Sequence, residues 1–123
     1  QGPVAQVLHP ALAGAPGHEH WQALCKHGHG HDGAAAGLFS VVIDARFASE
    51  QVDAFCDALR LFRLGYSWGG PLSLVMPYRL PDMRTRAAPH LKPGTVVRFA
   101  IGLENVDDLR ADLAQAINSV FGV

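Results

Sequence analysis

The sequence predicts an α+β domain: a four-stranded, mainly antiparallel sheet with helices packed on one face. Three observations carry this expectation. Short apolar runs at residues 4–8, 38–43, 72–76 and 95–101 have strand length and end at prolines, glycines or polar residues. Two longer stretches instead repeat apolar residues at helical spacing. One carries Val52, Phe55, Cys56, Leu59 and Phe62; the other carries Val106, Leu109, Leu113, Ala116, Ile117 and Val120. With one further short helix near Trp21, the order of elements is βαβαββα.

Each element has local support. Residues 4–8 read as a strand stopped by His9-Pro10, and Pro16-Gly17 punctuates the turn-rich connection that follows. His18 to about Lys26 reads as a short helix with Trp21 and Leu24 on one side, and residues 27–37 as a glycine- and alanine-rich loop. After the strand at 38–43, Ser49 is the expected N-cap of the second helix, with Glu50 favoured in its first turn. This helix is expected to end near Gly65. Pro77 is expected to stop the strand at 72–76. The polar stretch from Tyr78 to Gly94, within which prolines recur, is expected to be loop rather than helix. Asn105 is the expected N-cap of the last helix, with Asp107 and Asp108 in its first turn. Helices on one face leave the other face for a partner surface or another domain.

At 123 residues the chain is one domain, long enough to bury somewhat less than the roughly 68–70% of unfolded surface that a 150-residue domain buries. Hydrophobic residues are 49%, charged residues 17% and the net charge is −1, with both signs interspersed. That distribution lacks the basic stripe of a nucleic-acid binder. No apolar run approaches the roughly 20 residues of a membrane span, and no signal-peptide pattern opens the chain. Cys25 and Cys56 do not make a disulfide framework; Cys56 falls on a helix's apolar stripe, as a buried free thiol does. Both features fit a reducing, cytoplasmic compartment.

Two stretches carry candidate chemistry. Arg98 stands alone among Val96, Val97, Phe99 and Ile101. Burying an unpaired charge is costly, so a cleft-facing guanidinium calls for an anion, and its planar fork suits a carboxylate. The alternative is that Arg98 faces solvent on the outer side of the sheet. The run Gly65-Tyr66-Ser67-Trp68-Gly69-Gly70 is a ligand-loop candidate, because its glycines let backbone approach a small molecule. The alternative is a tight turn with Trp68 filling core space. Ser67 lacks the Gly-x-Ser-x-Gly setting of a nucleophile elbow.

The remaining polar clusters carry less. His27, His29 and His31, with Cys25 and Asp32 nearby, are metal-capable side chains. They share one glycine-spaced loop, whereas structural zinc sites draw ligands from separated segments, so no metal site is assigned. His18-Glu19-His20-Trp21 lacks the spacing of the zinc-protease helix, and His9 and His90 stand beside prolines in turns without further signal.

The residues also carry a resemblance. It runs through Val7-Leu8-His9-Pro10-Ala11-Leu12, Pro16-Gly17-His18-Glu19 with Trp21, Gly37-Leu38-Phe39-Ser40 and Leu64-Gly65-Tyr66-Ser67-Trp68-Gly69-Gly70. It continues through Ser73-Leu74-Val75 and Val97-Arg98, and closes with Ile101-Gly102-Leu103-Glu104-Asn105-Val106-Asp107-Asp108-Leu109. Together these resemble the C-terminal domain of the cystathionine β-lyases, within the Cys/Met-metabolism group of pyridoxal-phosphate enzymes. The resemblance spans essentially the whole chain in order.

What the resemblance implies is specific. It implies the small C-terminal domain of a fold-type I pyridoxal-phosphate enzyme, whose substrate is an amino acid. The implied reaction is β-elimination of cystathionine to homocysteine, pyruvate and ammonia, a step of transsulfuration and methionine biosynthesis. The position of Arg98 grips the substrate α-carboxylate. Ser67 helps hold that carboxylate and the catalytic lysine's amine, and Trp68 lines the same pocket. The cofactor lysine belongs to a preceding N-terminal domain, so none of this chain's residues is a cofactor ligand. Lys26 and Lys92 match no lysine motif. The isolated chain is therefore expected neither to bind the cofactor covalently nor to turn over cystathionine, and the full-length enzyme is expected to be a cytoplasmic homotetramer. Two departures stand out. Pro71 and Leu72 replace the usual aromatic and glutamate, which bears on fine substrate preference, and the 27–36 loop is longer and richer in histidine. Cystathionine γ-synthase or γ-lyase is the alternative within the family, against which Tyr66-Ser67-Trp68 argues. A free-standing metal-chelating module is the alternative outside it.

Overall fold

The computed structural model of the chain describes residues 2–26, 34–86 and 88–123. Five strands form one sheet: β1 (Val4–Leu8), β2 (Leu38–Asp44), β3 (Arg63–Leu64), β4 (Leu74–Tyr78) and β5 (Gly94–Ala100). Their spatial order is β1-β2-β5-β4-β3, antiparallel throughout except for the parallel β3–β4 pair. The expected class therefore holds, with a fifth strand where four were expected. Helices α1 (His18–Trp21), α2 (Ser49–Ala58), α3 (Leu80–Met83) and α4 (Val106–Phe121) complete the chain, and a π-helical turn over Gln22–Lys26 extends α1.

Alternation along the strands sorts the residues by face. Val41 and Ile43 of β2, Val97 and Phe99 of β5 and Val75 of β4 point to one side, where they join Val52, Phe55 and Cys56 of α2 and Leu109 and Ala116 of α4 in the core. Aromatic pairs lock this layer: Phe39 stacks on Phe99 at 5.3 Å, Phe62 meets Phe99 edge-on at 5.4 Å, and Phe121 packs against Phe47 at 4.8 Å. Of these, Phe62 and Phe99 are buried, and full burial of such a side chain contributes about 1.5–3 kcal/mol. The opposite face carries Ser40, Val42, Val96, Arg98, Met76 and Tyr78, which the register sets side by side.

Several boundaries differ from the sequence reading. The N-cap of α2 is Ala48, not Ser49: Gln51 reaches back so that its Oε1 accepts the Ala48 N–H at 3.1 Å. The helix ends at Ala58, well before Gly65. Asp112 of α4 takes the N–H groups of Arg60, Leu61 and Phe62, which a continued helix would send back to residues 56–58. Gln115 donates to the Ala58 carbonyl at 2.8 Å and so satisfies a carbonyl of the helix end. Phe62 is still buried, but it enters the core from a bent segment that leads into β3.

Pro77 lies inside β4 rather than ending it, paired with Val97. The missing N–H is tolerated because β3 shares only the rungs of Leu74 and Val75, leaving that side of β4 open at Pro77. The connection that follows is not all loop, since α3 lies in it. This 79–93 connection is tied to β1 by Gln6, which donates to the His90 carbonyl and accepts the Lys92 N–H. Leu80 and Leu91 of the connection line one cavity with Val96 of the sheet. The chain thus covers part of its second face itself, and Val42 and Val96 there are buried. Asn105 caps α4 as expected, accepting from the Asp107 and Asp108 N–H groups at 2.8 and 3.2 Å. Among the described residues no helix is long and apolar enough to cross a membrane.

Candidate active site

Arg98 sits on the middle strand between Ser40 of β2 and Met76 of β4, on the face opposite α2 and α4. It is half-buried rather than free in solvent. Its Nη2 donates to the Tyr66 carbonyl at 2.6 Å and, at the edge of bonding distance, to the Gly65 carbonyl at 3.4 Å. Two rings frame the guanidinium: Cζ lies 5.4 Å from the Trp68 ring centre and 5.5 Å from that of Tyr78. Both distances fall where a ring attracts a cation. The Tyr66 ring meets Tyr78 edge-on at 6.3 Å. Among the described residues, Nε and Nη1 find no protein acceptor, so that edge of the fork can accept a planar anion.

The loop that supplies these carbonyls and Trp68 runs between β3 and β4. Gly69 has φ +75°, a left-handed turn that disfavours any side chain. Where the loop leaves, a Cβ on Gly102 would stand 2.3 Å from the Pro71 carbonyl oxygen, so glycine is required there. Leu103 N–H bonds that same oxygen at 2.8 Å. Ser73 is fully buried, and Glu104 accepts both its N–H and its hydroxyl at 2.7 Å. The hydrogen bond from the Ser73 N–H is the main reason that the Glu104 carboxyl titrates below its ordinary range, against a smaller opposing effect of burial.

The sequence candidates can now be placed. Arg98 and Trp68 are in contact, and Ser67 rides exposed on the same loop. Trp68 is 61% exposed, so it does not fill the core. It instead lines a small apolar cavity of 160 Å³ with Gly37, Leu38, Ala100 and Ile101 among its walls. His18 Nδ1 bonds the Pro10 carbonyl at 2.8 Å and its ring stacks on Trp21. His9, which carried no signal in the sequence, bridges the Ala11 N–H and the Ala36 carbonyl. Cys25 is half-buried and Cys56 buried, both as free thiols. His27, His29, His31 and Asp32 lie outside the described residues.

Sequence reasoning missed Tyr78, Ser73 and Glu104. Tyr78 had a signal, because it lies two residues beyond Met76 and so on the face of Arg98. The expectation that Pro77 ends the strand hid it. Ser73 and Glu104 appeared only as parts of the motif match, since nothing local pairs residues 31 apart.

A cofactor aldehyde needs an amine. Lys92 is exposed on the 79–93 connection, and the described groups around Arg98 are cationic, aromatic or backbone carbonyl. This arrangement fits an acid group and does not fit covalent attachment of pyridoxal phosphate.

The fold is that of a known group of enzymes. The crystal structure of metB from Corynebacterium glutamicum matches with a TM-score of 0.71 at 31% identity, covering 97% of this chain and 29% of that one. A putative cystathionine beta-lyase of Rhizobium johnstonii is 41% identical over 123 residues, which are 98% of this chain and 29% of that protein. The cystathionine beta-lyase of Salmonella typhimurium is 40% identical over 114 residues, or 90% and 27%. Residues 1–118 match the profile of the Cys/Met metabolism PLP-dependent enzymes, and the chain belongs to that family. It spans under a third of the length of the curated relatives it matches.

Proposed function

We propose that this chain is the C-terminal domain of a cytoplasmic pyridoxal-phosphate-dependent carbon–sulfur lyase, a cystathionine β-lyase. In this reading Arg98, with Ser67 and Trp68, holds the substrate's α-carboxylate. The observation that carries it is the state of Arg98. Its guanidinium is fixed at Nη2 by the Tyr66 carbonyl, framed by Trp68 and Tyr78, and has its remaining donors turned to no protein acceptor among the described residues.

The chemistry asks for such an arrangement. Fixing a carboxylate at one end binds the amino acid and orients it so that its Cα–H can be aligned for removal. The cofactor, held elsewhere, supplies the electron sink; this chain supplies grip and orientation. The reaction is cleavage of cystathionine with water to homocysteine, pyruvate and ammonia. Because the site does not fit covalent cofactor attachment, the isolated 123 residues are inactive in this reading.

The missing partner is the protein's own cofactor domain. Tyr66, Trp68 and Leu72 of the loop, with Leu64 of β3 and Leu103 beyond β5, are 57–85% exposed, apolar surface that fits a covering domain. The assembled enzyme is a homotetramer in this reading. The test is an assay of the full-length protein with cystathionine. Release of pyruvate is expected; release of 2-oxobutyrate instead would move the chain to the γ-cleaving relatives, and release of neither would remove the lyase reading.

A further inference from the structure

We propose that Glu104 is a positioning residue for Arg98, acting through Ser73. The inference rests on the reading of Arg98 as the carboxylate grip and adds the device that holds the grip in place.

The argument follows the hydrogen bonds. The loop that carries Tyr66 and Trp68 has two stems, β3 on the way in and Ser73 on the way out. Both meet at Ser73, whose carbonyl accepts the Arg63 N–H at 3.0 Å. Ser73 is in turn held by Glu104 through two bonds of 2.7 Å, one from its N–H and one from its hydroxyl. The same hydroxyl oxygen accepts the Gly102 N–H at 2.8 Å, which ties the clamp to the chain leaving β5. Two and three residues beyond Arg63, the Gly65 and Tyr66 carbonyls hold Arg98 Nη2. The line from Glu104 to Arg98 therefore runs through one buried serine and one two-residue strand.

This placement has a consequence for the guanidinium. Arg98 has no carboxylate partner among the described residues, so its orientation is set by neutral carbonyls and ring faces. Those carbonyls move with the loop. A charge-assisted clamp is about twice as strong as a neutral bond, and it holds Ser73, where the two stems meet beside the weaker Gly65 N–H to Val75 carbonyl bond at 3.3 Å. Loosening it lets the carbonyls and the Trp68 ring drift, and the fork loses its aim without any change in its own chemistry.

The experiment is a double-mutant cycle in the full-length holoenzyme, with Glu104→Gln and Arg98→Ala made singly and together. Glu104→Gln keeps the size of the side chain but places an amide donor against Ser73, so the clamp loses an acceptor. The expected result is a KM for cystathionine raised roughly tenfold with kcat changed less than about threefold, a penalty that falls below about twofold once Arg98 is alanine. A role in stability alone would give the same penalty in both backgrounds, and that result would overturn the proposal. If Arg98→Ala raises KM but Glu104→Gln does not, only the positioning role fails. If Arg98→Ala leaves KM unchanged, the carboxylate reading fails first. Should Glu104→Gln not fold, Ser73→Ala, which deletes the hydroxyl arm of the same clamp, replaces it in the cycle with the same expected and contradicting results.

Discussion

The guanidinium of Arg98 and the thiol of Cys56 lie on opposite sides of the same sheet and illustrate opposite fates for a reactive side chain. Arg98 keeps Nε and Nη1 without a protein acceptor among the described residues, because the loop carbonyls use only Nη2. Cys56 is sealed in the core, and burial first, then the nearby Asp53 and Asp57 charges, push its thiol up to about 12. Thiolate is the reactive form, so Cys56 stays inert at about pH 8. Alkylation followed by mass spectrometry is expected to leave Cys56 unmodified in the native chain and to modify it after unfolding. Equal labelling rates in the two states would contradict this. The burial of Cys56 was legible from its place on a helical stripe. The setting of Arg98 was not, because Tyr66, Trp68 and Tyr78 reach it from other segments.

Helix α2 ends where it does because of a carboxylate far away in the chain. Asp112 accepts the Arg60, Leu61 and Phe62 N–H groups across some 50 residues. No local pattern shows that, which is why the apolar repeat through Phe62 reads as a longer helix. The same long-range logic accounts for Pro77, tolerated only because β3 is two residues long. Burial raises the Asp112 carboxyl, but the hydrogen bonds from Arg60, Leu61, Gln115 and Phe62 outweigh it and leave the group below its ordinary range. A carboxyl lowered in the folded state adds stability above its unfolded value of about 3.9, and that stability is lost as pH falls through the folded value. Asp112→Ala leaves these part-buried donors without their acceptor and is expected to cost about 1–3 kcal/mol near neutrality. Urea midpoints followed from neutral to acid pH should fall less steeply in the variant than in the parent chain. Parallel slopes would show that Asp112 does not carry the acid sensitivity assigned to it.

For the molecule as a whole, the class of fold and the family were readable in the sequence, the first from alternating and helical spacing, the second from motifs in order. What brings Trp68 to Arg98, with Ser67 on the same loop, is the strand order β2-β5-β4-β3, which puts the 65–72 loop beside the middle strand. That arrangement depends on pairing between distant strands, and periodicity within a single strand does not specify it. The central claim is a division of labour: this chain grips the amino acid, and the cofactor is held elsewhere in the protein. A spectrophotometric titration of the full-length Arg98→Ala protein with an amino-acid substrate tests that division most directly. The account predicts that the visible absorbance of bound pyridoxal phosphate is unchanged, while the substrate concentration that half-shifts it rises at least about tenfold, as loss of a charged hydrogen bond requires. Loss of the cofactor's absorbance, or an unchanged midpoint, would contradict it.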